Sequence, residues 1–302
     1  MPRHFLKLTD FSLSELEALL KEAIRLKQDW KKGKTSKPLS NKTLAMVFEK
    51  SSTRTRVSFE LACVQLGGHA LSLSTSSSQL GRGETYEDTA RVLSRYADAI
   101  MLRTFDHDNL EAMAKVASVP VINGLTDLFH PVQILADLQT ILEKRSSLKD
   151  MTLAYVGDGN NLANSWIHAA SLFGFELRVS CPQTFHPHES MVELALSKKN
   201  IHFEKDPKKA LKGAHVVYTD TWFSMGQEVD KAKKRIFAPY QLNDFLLKNA
   251  DPKVGVMHCL PAHRGEEITD EVIDGKHSWV WDQAENRLHA QKALLLALMK
   301  DH

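Results

Sequence analysis

Leu44-Ala45-Met46-Val47-Phe48-Glu49-Lys50-Ser51-Ser52-Thr53-Arg54-Thr55-Arg56 decides how the rest of the chain is read. Its first five residues are apolar, as in a strand buried on both faces of a parallel sheet. The polar residues after them open a helix carrying Phe59, Leu61, Ala62 and Leu66 and closing at Gly67-Gly68. A strand turning into a helix N-terminus leaves backbone N–H groups converging where the helix dipole favours an anion. Ser52, Thr53 and Thr55 add hydroxyls there, and Arg54 and Arg56 add guanidinium forks that match phosphate oxygens. A helix cap alone needs one hydroxyl, not three with two arginines beside them.

Outward from this stretch, strand and helix patterns alternate. Short apolar strands are expected at residues 43–48, 69–73, 99–103 and 119–123, with helices at 54–66, 85–96 and 109–117. Ser12 and Glu15 frame a capping box before a helix with Leu16, Leu19, Leu20, Ala23 and Ile24 on one face. Pro131 begins a helix ending near Lys144, and a polar connector covers 145–150. A second series follows, with strands at 151–156, 176–180, 201–204, 216–219 and 254–258 and a last helix at 285–300. The expected class is α/β: two domains, each a parallel β-sheet flanked by helices, with the active site in the interdomain cleft beyond the strand ends. The expected boundaries are residues 1–138 and 139–284, with helix 285–302 packing back on the first domain.

Composition narrows the function classes. The chain has 302 residues, 43% hydrophobic and 25% charged, an ordinary globular balance. A net charge of +2 is too even to draw nucleic acid or a membrane surface by itself. Cys63, Cys181 and Cys259, sparse and odd in number, argue against a disulfide framework and for a reducing compartment. The N-terminus has no signal-like apolar core, and no apolar run approaches the roughly 20 residues of a membrane span. The expectation is a soluble, cytoplasmic protein. The basic run Lys231-Ala232-Lys233-Lys234-Arg235 reads as a solvated surface.

Polar clusters follow strand after strand, where an α/β site belongs. They are Arg103, His130-Pro131-Val132-Gln133, Gly157-Asp158-Gly159-Asn160-Asn161, Asp220 and His258-Cys259-Leu260-Pro261. Gly157-Asp158-Gly159 begins like a dinucleotide fingerprint, but Leu162 stands where its third glycine belongs. His258, Cys259 and His263 lack a second pair at zinc spacing, so no metal is expected. Cys259 is open to two readings, a covalent nucleophile beside His258 or part of a polar wall.

Together these residues resemble the aspartate/ornithine carbamoyltransferase family, in particular its ornithine branch. Residues Phe48 to Arg56 are similar to the family's carbamoyl-phosphate signature, and His130-Pro131-Val132-Gln133 to its second signature. Asp220-Thr221-Trp222-Phe223-Ser224-Met225-Gly226 resembles the ornithine branch's mobile loop, and His258-Cys259-Leu260-Pro261 its ornithine-binding strand end. The likeness spans the whole chain in the family's order. It implies transfer of the carbamoyl group of carbamoyl phosphate to the δ-amine of L-ornithine, within arginine metabolism, giving citrulline and phosphate. It implies a homotrimer with inter-subunit active sites, and no cofactor.

The resemblance also implies roles. Ser52, Thr53, Arg54 and Thr55 hold the phosphate. Arg103, His130 and Thr55 bond the carbamoyl oxygen, Gln133 with Pro131 and Val132 receives the carbamoyl amide, and Arg287 approaches both groups. Gln79 belongs to a loop reaching a neighbouring subunit's site. Asn161 holds the ornithine carboxylate and Asp220 its α-ammonium. Ser224 and Met225 close over the amino acid as a lid, with Gly226 as hinge, and Cys259 and Leu260 place the δ-amine. Arg54, Arg103, His130, Cys259 and Arg287 are thereby the expected catalytic set. Aspartate as acceptor would instead demand cations for its β-carboxylate. Putrescine would leave Asn161 without a carboxylate. A non-catalytic phosphate-binding protein has no need of Arg103, His130 and Arg287 together.

Overall fold

The computed structural model describes residues 2–223 and 230–300, without the Ser77 side chain. The chain forms two compact units. One runs to Gln139 and resumes at Glu285; the other is Thr140–Ala284.

The first unit begins with helix α1 (Leu13–Lys31), started by the expected capping box: Ser12 N donates to Glu15 Oε2 at 2.8 Å and Glu15 N to Ser12 Oγ at 3.4 Å. Strands β1 (Thr43–Phe48), β2 (His69–Ser74), β3 (Ala99–Arg103) and β4 (Val121–Leu125) form a parallel sheet in the order β2-β1-β3-β4. Helices α2 (Thr53–Gln65), α3 (Tyr86–Leu93), α4 (His107–Val116) and α5 (Pro131–Arg145) follow the strands. β1 and β3 are buried almost throughout, hence their unbroken apolar sequence. The sheet order reverses between β1 and β3, so the loops leaving them diverge and open a crevice. Phe48 and Arg103 are register partners there, which sets the α2 N-terminus beside the end of β3.

α2 departs from the expected pattern in one respect. Its buried stripe is Thr55, Phe59, Ala62 and Cys63, with Leu66 as C-cap; Leu61 lies outside with Val57 and Val64. Leu61 is one step past the Phe59–Ala62–Cys63 arc, and one helical step is a rotation of about 100°.

The second unit holds β5 (Thr152–Val156), β6 (Glu176–Ser180), β7 (Ile201–Phe203), β8 (Val216–Thr219) and β9 (Gly255–His258) in a parallel sheet ordered β7-β6-β5-β8-β9. Helices α6 (Asn161–Phe173), α7 (Glu189–Leu196), α8 (Pro207–Leu211), α9 (Lys231–Phe237), α10 (Asp244–Leu247) and α11 (Asp270–Ile273) accompany it, and α12 (Val280–Met299) closes the chain. The reversal here lies between β5 and β8, with Val156 opposite Thr219 and Thr219 opposite His258. Three strand ends, and the loops after them, therefore meet at one place.

The basic run at 231–235 is not simply solvated. It forms α9, and Lys233 turns inward to pair with Asp158 at 3.0 Å, with the Phe185, Phe223 and Phe237 rings about it. Among the described residues no helix is long and apolar enough to cross a membrane.

Candidate active site

In the first unit Ser52 caps α2, its Oγ accepting from Thr55 N at 3.2 Å. That bond fixes the first turn and directs the Thr55 side chain inward, where it is buried. Two guanidiniums converge on its hydroxyl: Arg103 Nη1 from the end of β3 and Arg287 Nη2 from α12, both at 3.3 Å. Arg287 Nη1 also donates to Gln133 Oε1 at 2.6 Å, and Gln133 Nε2 to Asp137 Oδ1 at 2.8 Å, one turn along α5. The two bonds fix the Gln133 amide orientation, leaving its Oε1 a second lone pair. Pro131 and Val132, both buried, form the first turn of α5 behind it.

His130 is buried at the head of the same helix. Burial first, then the positive charges of Arg287, Arg103 and Arg54, holds its imidazole well below the usual histidine pKa. The ring is thus a neutral donor and acceptor in a strongly cationic place. This has a consequence for stability. Below about pH 6.5 the unfolded chain takes up a proton here that the folded chain refuses, so stability falls as pH falls through that value. Thermal melts should show the midpoint dropping between about pH 7 and pH 5, and His130→Gln should flatten part of the drop. An unchanged slope in the variant would assign the effect to His4 and His107, whose pKa values burial also lowers.

Arg54 projects half-buried from the first turn of α2, near enough to act on His130, and Thr53 is exposed beside it. Arg56 does not join the group; it is exposed and 4.0 Å from Glu60. Gln79 lies apart, exposed at the loop that follows β2. The turn itself is held by Glu49, which accepts from Thr104 Oγ1, Phe105 N and Tyr86 Oη, and by Lys50, paired with Asp127. Neither Glu49 nor Asp127 drew a role from the sequence, because their partners are 37 to 77 residues away.

In the second unit Asp220 follows β8 and is buried. Its Oδ2 accepts from Asn160 Nδ2 at 2.7 Å and its Oδ1 from Cys259 Sγ at 2.8 Å. Asn160 does three things at once. Its Oδ1 caps α6 through Leu162 N at 2.9 Å and lies 3.0 Å from the Tyr155 hydroxyl, while its Nδ2 holds Asp220. The resemblance points to Asn161 here, although Asn160 stands in the same cluster. Asn161 is the first residue of α6, half-exposed beside this cap. The cap reading S/T/D/N before a helix was the signal available for Asn160.

The glycines nearby have an internal reason that differs from a dinucleotide fingerprint. A Cβ on Gly159 would come within 2.4 Å of the His186 carbonyl carbon, and Gly159 N donates to Phe185 O at 2.9 Å. The bare backbone lets this turn dock against the chain and so aims Asn160.

Cys259 and Leu260 follow β9. Leu260 has φ of 60°, a left-handed conformation costly for a branched side chain. Its N–H donates to His258 Nδ1 at 2.9 Å, and His258 Nε2 lies 3.1 Å from Glu267 Oε1. Buried Glu267 also accepts from His263 N at 2.5 Å, so the loop is tied at both ends. Asp220, His258 and Cys259 present ligand-type atoms within 4.8 Å of one another. Both His258 nitrogens and both Asp220 oxygens are already engaged in the bonds above, so the group serves to hold the loop and the carboxylate. Burial pushes the Cys63 thiol up to about 11 and Cys181 to about 12, leaving both poor nucleophiles. Ser224, Met225 and Gly226 lie outside the described residues.

Comparison with known proteins fits this division. A family model described as the aspartate/ornithine carbamoyltransferase carbamoyl-P binding domain matches residues 3–143, and its Asp/Orn binding domain matches residues 149–298. Ornithine carbamoyltransferase of Pelobacter propionicus is 53% identical over 99% of this chain and 99% of its own. That of Archaeoglobus fulgidus is 55% identical over 98% and 97%. The solved ornithine carbamoyltransferase of Pyrococcus furiosus superposes with a TM-score of 0.95 at 51% identity, covering 99% of this chain and 97% of that one. With both family models matched in order along nearly its whole length, the chain belongs to the aspartate/ornithine carbamoyltransferase family.

Proposed function

We propose that this chain transfers the carbamoyl group of carbamoyl phosphate to the δ-amine of L-ornithine, releasing citrulline and phosphate. The observation that carries the choice of acceptor is the buried Asp220 carboxylate, held by Asn160 and Cys259 at the ends of β5, β8 and β9. A fixed anion there attracts an ammonium group and repels the second carboxylate of aspartate. The relatives named above, ornithine carbamoyltransferases by name, support the same reading. The test offers carbamoyl phosphate with ornithine, aspartate, putrescine or acetylated ornithine and follows each product. Faster turnover of any acceptor but ornithine overturns the assignment.

On this reading the first unit binds carbamoyl phosphate. Ser52, Thr53, Arg54 and Thr55 hold the phosphate at the α2 N-terminus. Arg103, His130 and Thr55 meet the carbamoyl oxygen, where negative charge grows as the amine attacks. The remaining lone pair of Gln133 Oε1 accepts from the carbamoyl amide. Arg287 helps neutralise the departing phosphate. The second unit binds ornithine, with Asn161 at its carboxylate, Asp220 at its α-ammonium, and Cys259 and Leu260 at the δ-amine; Ser224 and Met225 complete the set. The amine attacks in its neutral form, against an ordinary pKa near 10. Carbamoyl phosphate is already activated, so positioning and electrostatics suffice and no covalent enzyme intermediate is needed.

Cys259→Ser distinguishes this from a thiolate nucleophile. A serine hydroxyl still donates to Asp220 Oδ1, so the variant should keep measurable turnover, a raised KM for ornithine and sequential kinetics. In the covalent alternative, ping-pong kinetics and a carbamoyl adduct on Cys259 appear with carbamoyl phosphate alone. Mass spectrometry of the wild-type protein under those conditions decides the matter.

A homotrimer is part of the same proposal. Val57, Leu61 and Val64 form an exposed apolar stripe on α2, with Leu71 exposed on the edge strand β2. Association over this face would place the exposed Gln79 loop against a second copy. A monomer mass in sedimentation would remove this part.

A further inference from the structure

A second reactive group lies in the first unit, away from the Thr55 cluster. Lys292, on α12, is only 3% exposed. Its Nζ sits 4.3 Å from the centre of the Trp30 ring. Among the described residues no carboxylate pairs with it. Asp29, the one acid lining the same cavity, is held by Arg25 at 2.5 Å. Glu285, two turns back on α12, is engaged by Lys27, Lys31 and His289. The other charged neighbours, Arg25 and Lys34, are cations and disfavour a third positive charge.

The cavity has a volume of about 150 Å³. That is several times the roughly 30 Å³ of a water molecule, and enough for the three heavy atoms of a carbamoyl group. Gln65 lines it, and its buried Oε1 has no hydrogen-bond partner. An orphaned buried acceptor costs about 1–3 kcal/mol, so this wall lacks a donor that an added amide would bring.

We propose that the ε-amine of Lys292 is a carbamoylation site that takes isocyanic acid, the small electrophile in equilibrium with cyanate. The nitrogen lone pair attacks the carbon of HN=C=O and a C–N bond forms. The proton leaving the amine goes to the isocyanate nitrogen, giving Lys–NH–CO–NH₂. No group departs and nothing is oxidised or reduced. The product replaces a buried cation by a neutral ureido group whose N–H donors face the Gln65 wall. Carbamoyl phosphate releases cyanate as it decomposes, so the protein's own substrate is a source; that link alone rests on the proposed function.

Burial pushes the Lys292 amine down to about 8. At about pH 7.5 roughly a quarter of it is then neutral, against about one in a thousand for an exposed lysine. A less basic amine is also a poorer nucleophile, which leaves an advantage of roughly tenfold.

The experiment treats the folded protein with cyanate near neutral pH and follows each lysine by peptide mapping. Lys292 is expected to react roughly tenfold faster than the exposed Lys198 and Lys253. Its rate should fall above about pH 8, where its amine is already neutral and isocyanic acid goes on ionising, while theirs hold level to about pH 10, and its advantage should vanish in denaturant. Equal or slower labelling of Lys292, a pH profile that runs parallel to that of the exposed lysines, or an advantage that survives unfolding overturns the proposal. Because cyanate is supplied directly, failure of the ornithine assay would leave this result untouched.

Discussion

Arg103→Leu is expected to lower turnover by roughly 10²–10³-fold, the usual loss when one preorganised donor to a developing oxyanion is removed. Arg103 ends β3 opposite Phe48, so its guanidinium reaches the α2 N-terminus without a long loop to position it. Its Nη1 meets Thr55 Oγ1, the hydroxyl that Arg287 reaches from α12. Leucine fills much of the buried stem, leaving the charge as the main loss. The Thr55 hydroxyl keeps its Arg287 partner. Removing one of three neighbouring cations also lets the His130 pKa rise toward its ordinary value. The variant should therefore lose activity further as pH falls, with a steeper acid limb than the parent. Steady-state kinetics across pH, with circular dichroism as a check on folding, measure both effects. A folded variant with parental turnover would show that Arg103 only braces the turn.

What the sequence disclosed follows from how local each signal is. β1 and β3 were read with their observed bounds because a strand buried on both faces is written as a plain apolar run. The α2 start was legible because Ser52 must cap it. Two ends shifted. β4 begins at Val121, not Val119, because Pro120 has no N–H to give the ladder; its carbonyl instead accepts from Ile100. α12 begins at Val280, ahead of the expected 285, since its first turn carries buried Val280 and Gln283 rather than a polar start. The candidate site divides in the same way. Arg103, His130 and Asp220 announced themselves as polar residues at strand ends or a helix head. Asn160 and Glu267 did not, because their work is to hold other side chains. Asn160 reaches Asp220 60 residues away, and no periodicity encodes such a pairing. Lys292 was hidden for a related reason: its burial depends on Trp30 of α1 and Gln65 of α2.

Asp220→Asn is expected to weaken ornithine binding by roughly 10–150-fold, the equivalent of about 1.5–3 kcal/mol for a hydrogen bond to a charged group. Carbamoyl-phosphate binding should be little changed, because the residues proposed to hold it belong to the first unit. The substitution is nearly isosteric, yet it cannot be silent. Both Asp220 oxygens accept, one from Asn160 Nδ2 and one from Cys259 Sγ. An asparagine offers one acceptor and one donor, so its amide N–H₂ must face one of these donors. Asn160 cannot flip to relieve the clash, since its Oδ1 already caps α6 through Leu162 N and sits by the Tyr155 hydroxyl. Cys259 can turn its S–H away and accept instead, weakly, which is the cheaper adjustment. The variant should then fold, with its thiol released from Asp220 and its fixed negative charge gone. Tyr155 offers an independent readout. Its hydroxyl pKa is raised well above 10, first by burial and next by the Asp220 charge, so loss of that charge should let tyrosinate form at lower pH. Calorimetry with each ligand and an ultraviolet pH titration give the two results. Equal weakening of both ligands, with no change in the tyrosine titration, would make Asp220 a structural residue and leave the acceptor site without its anion.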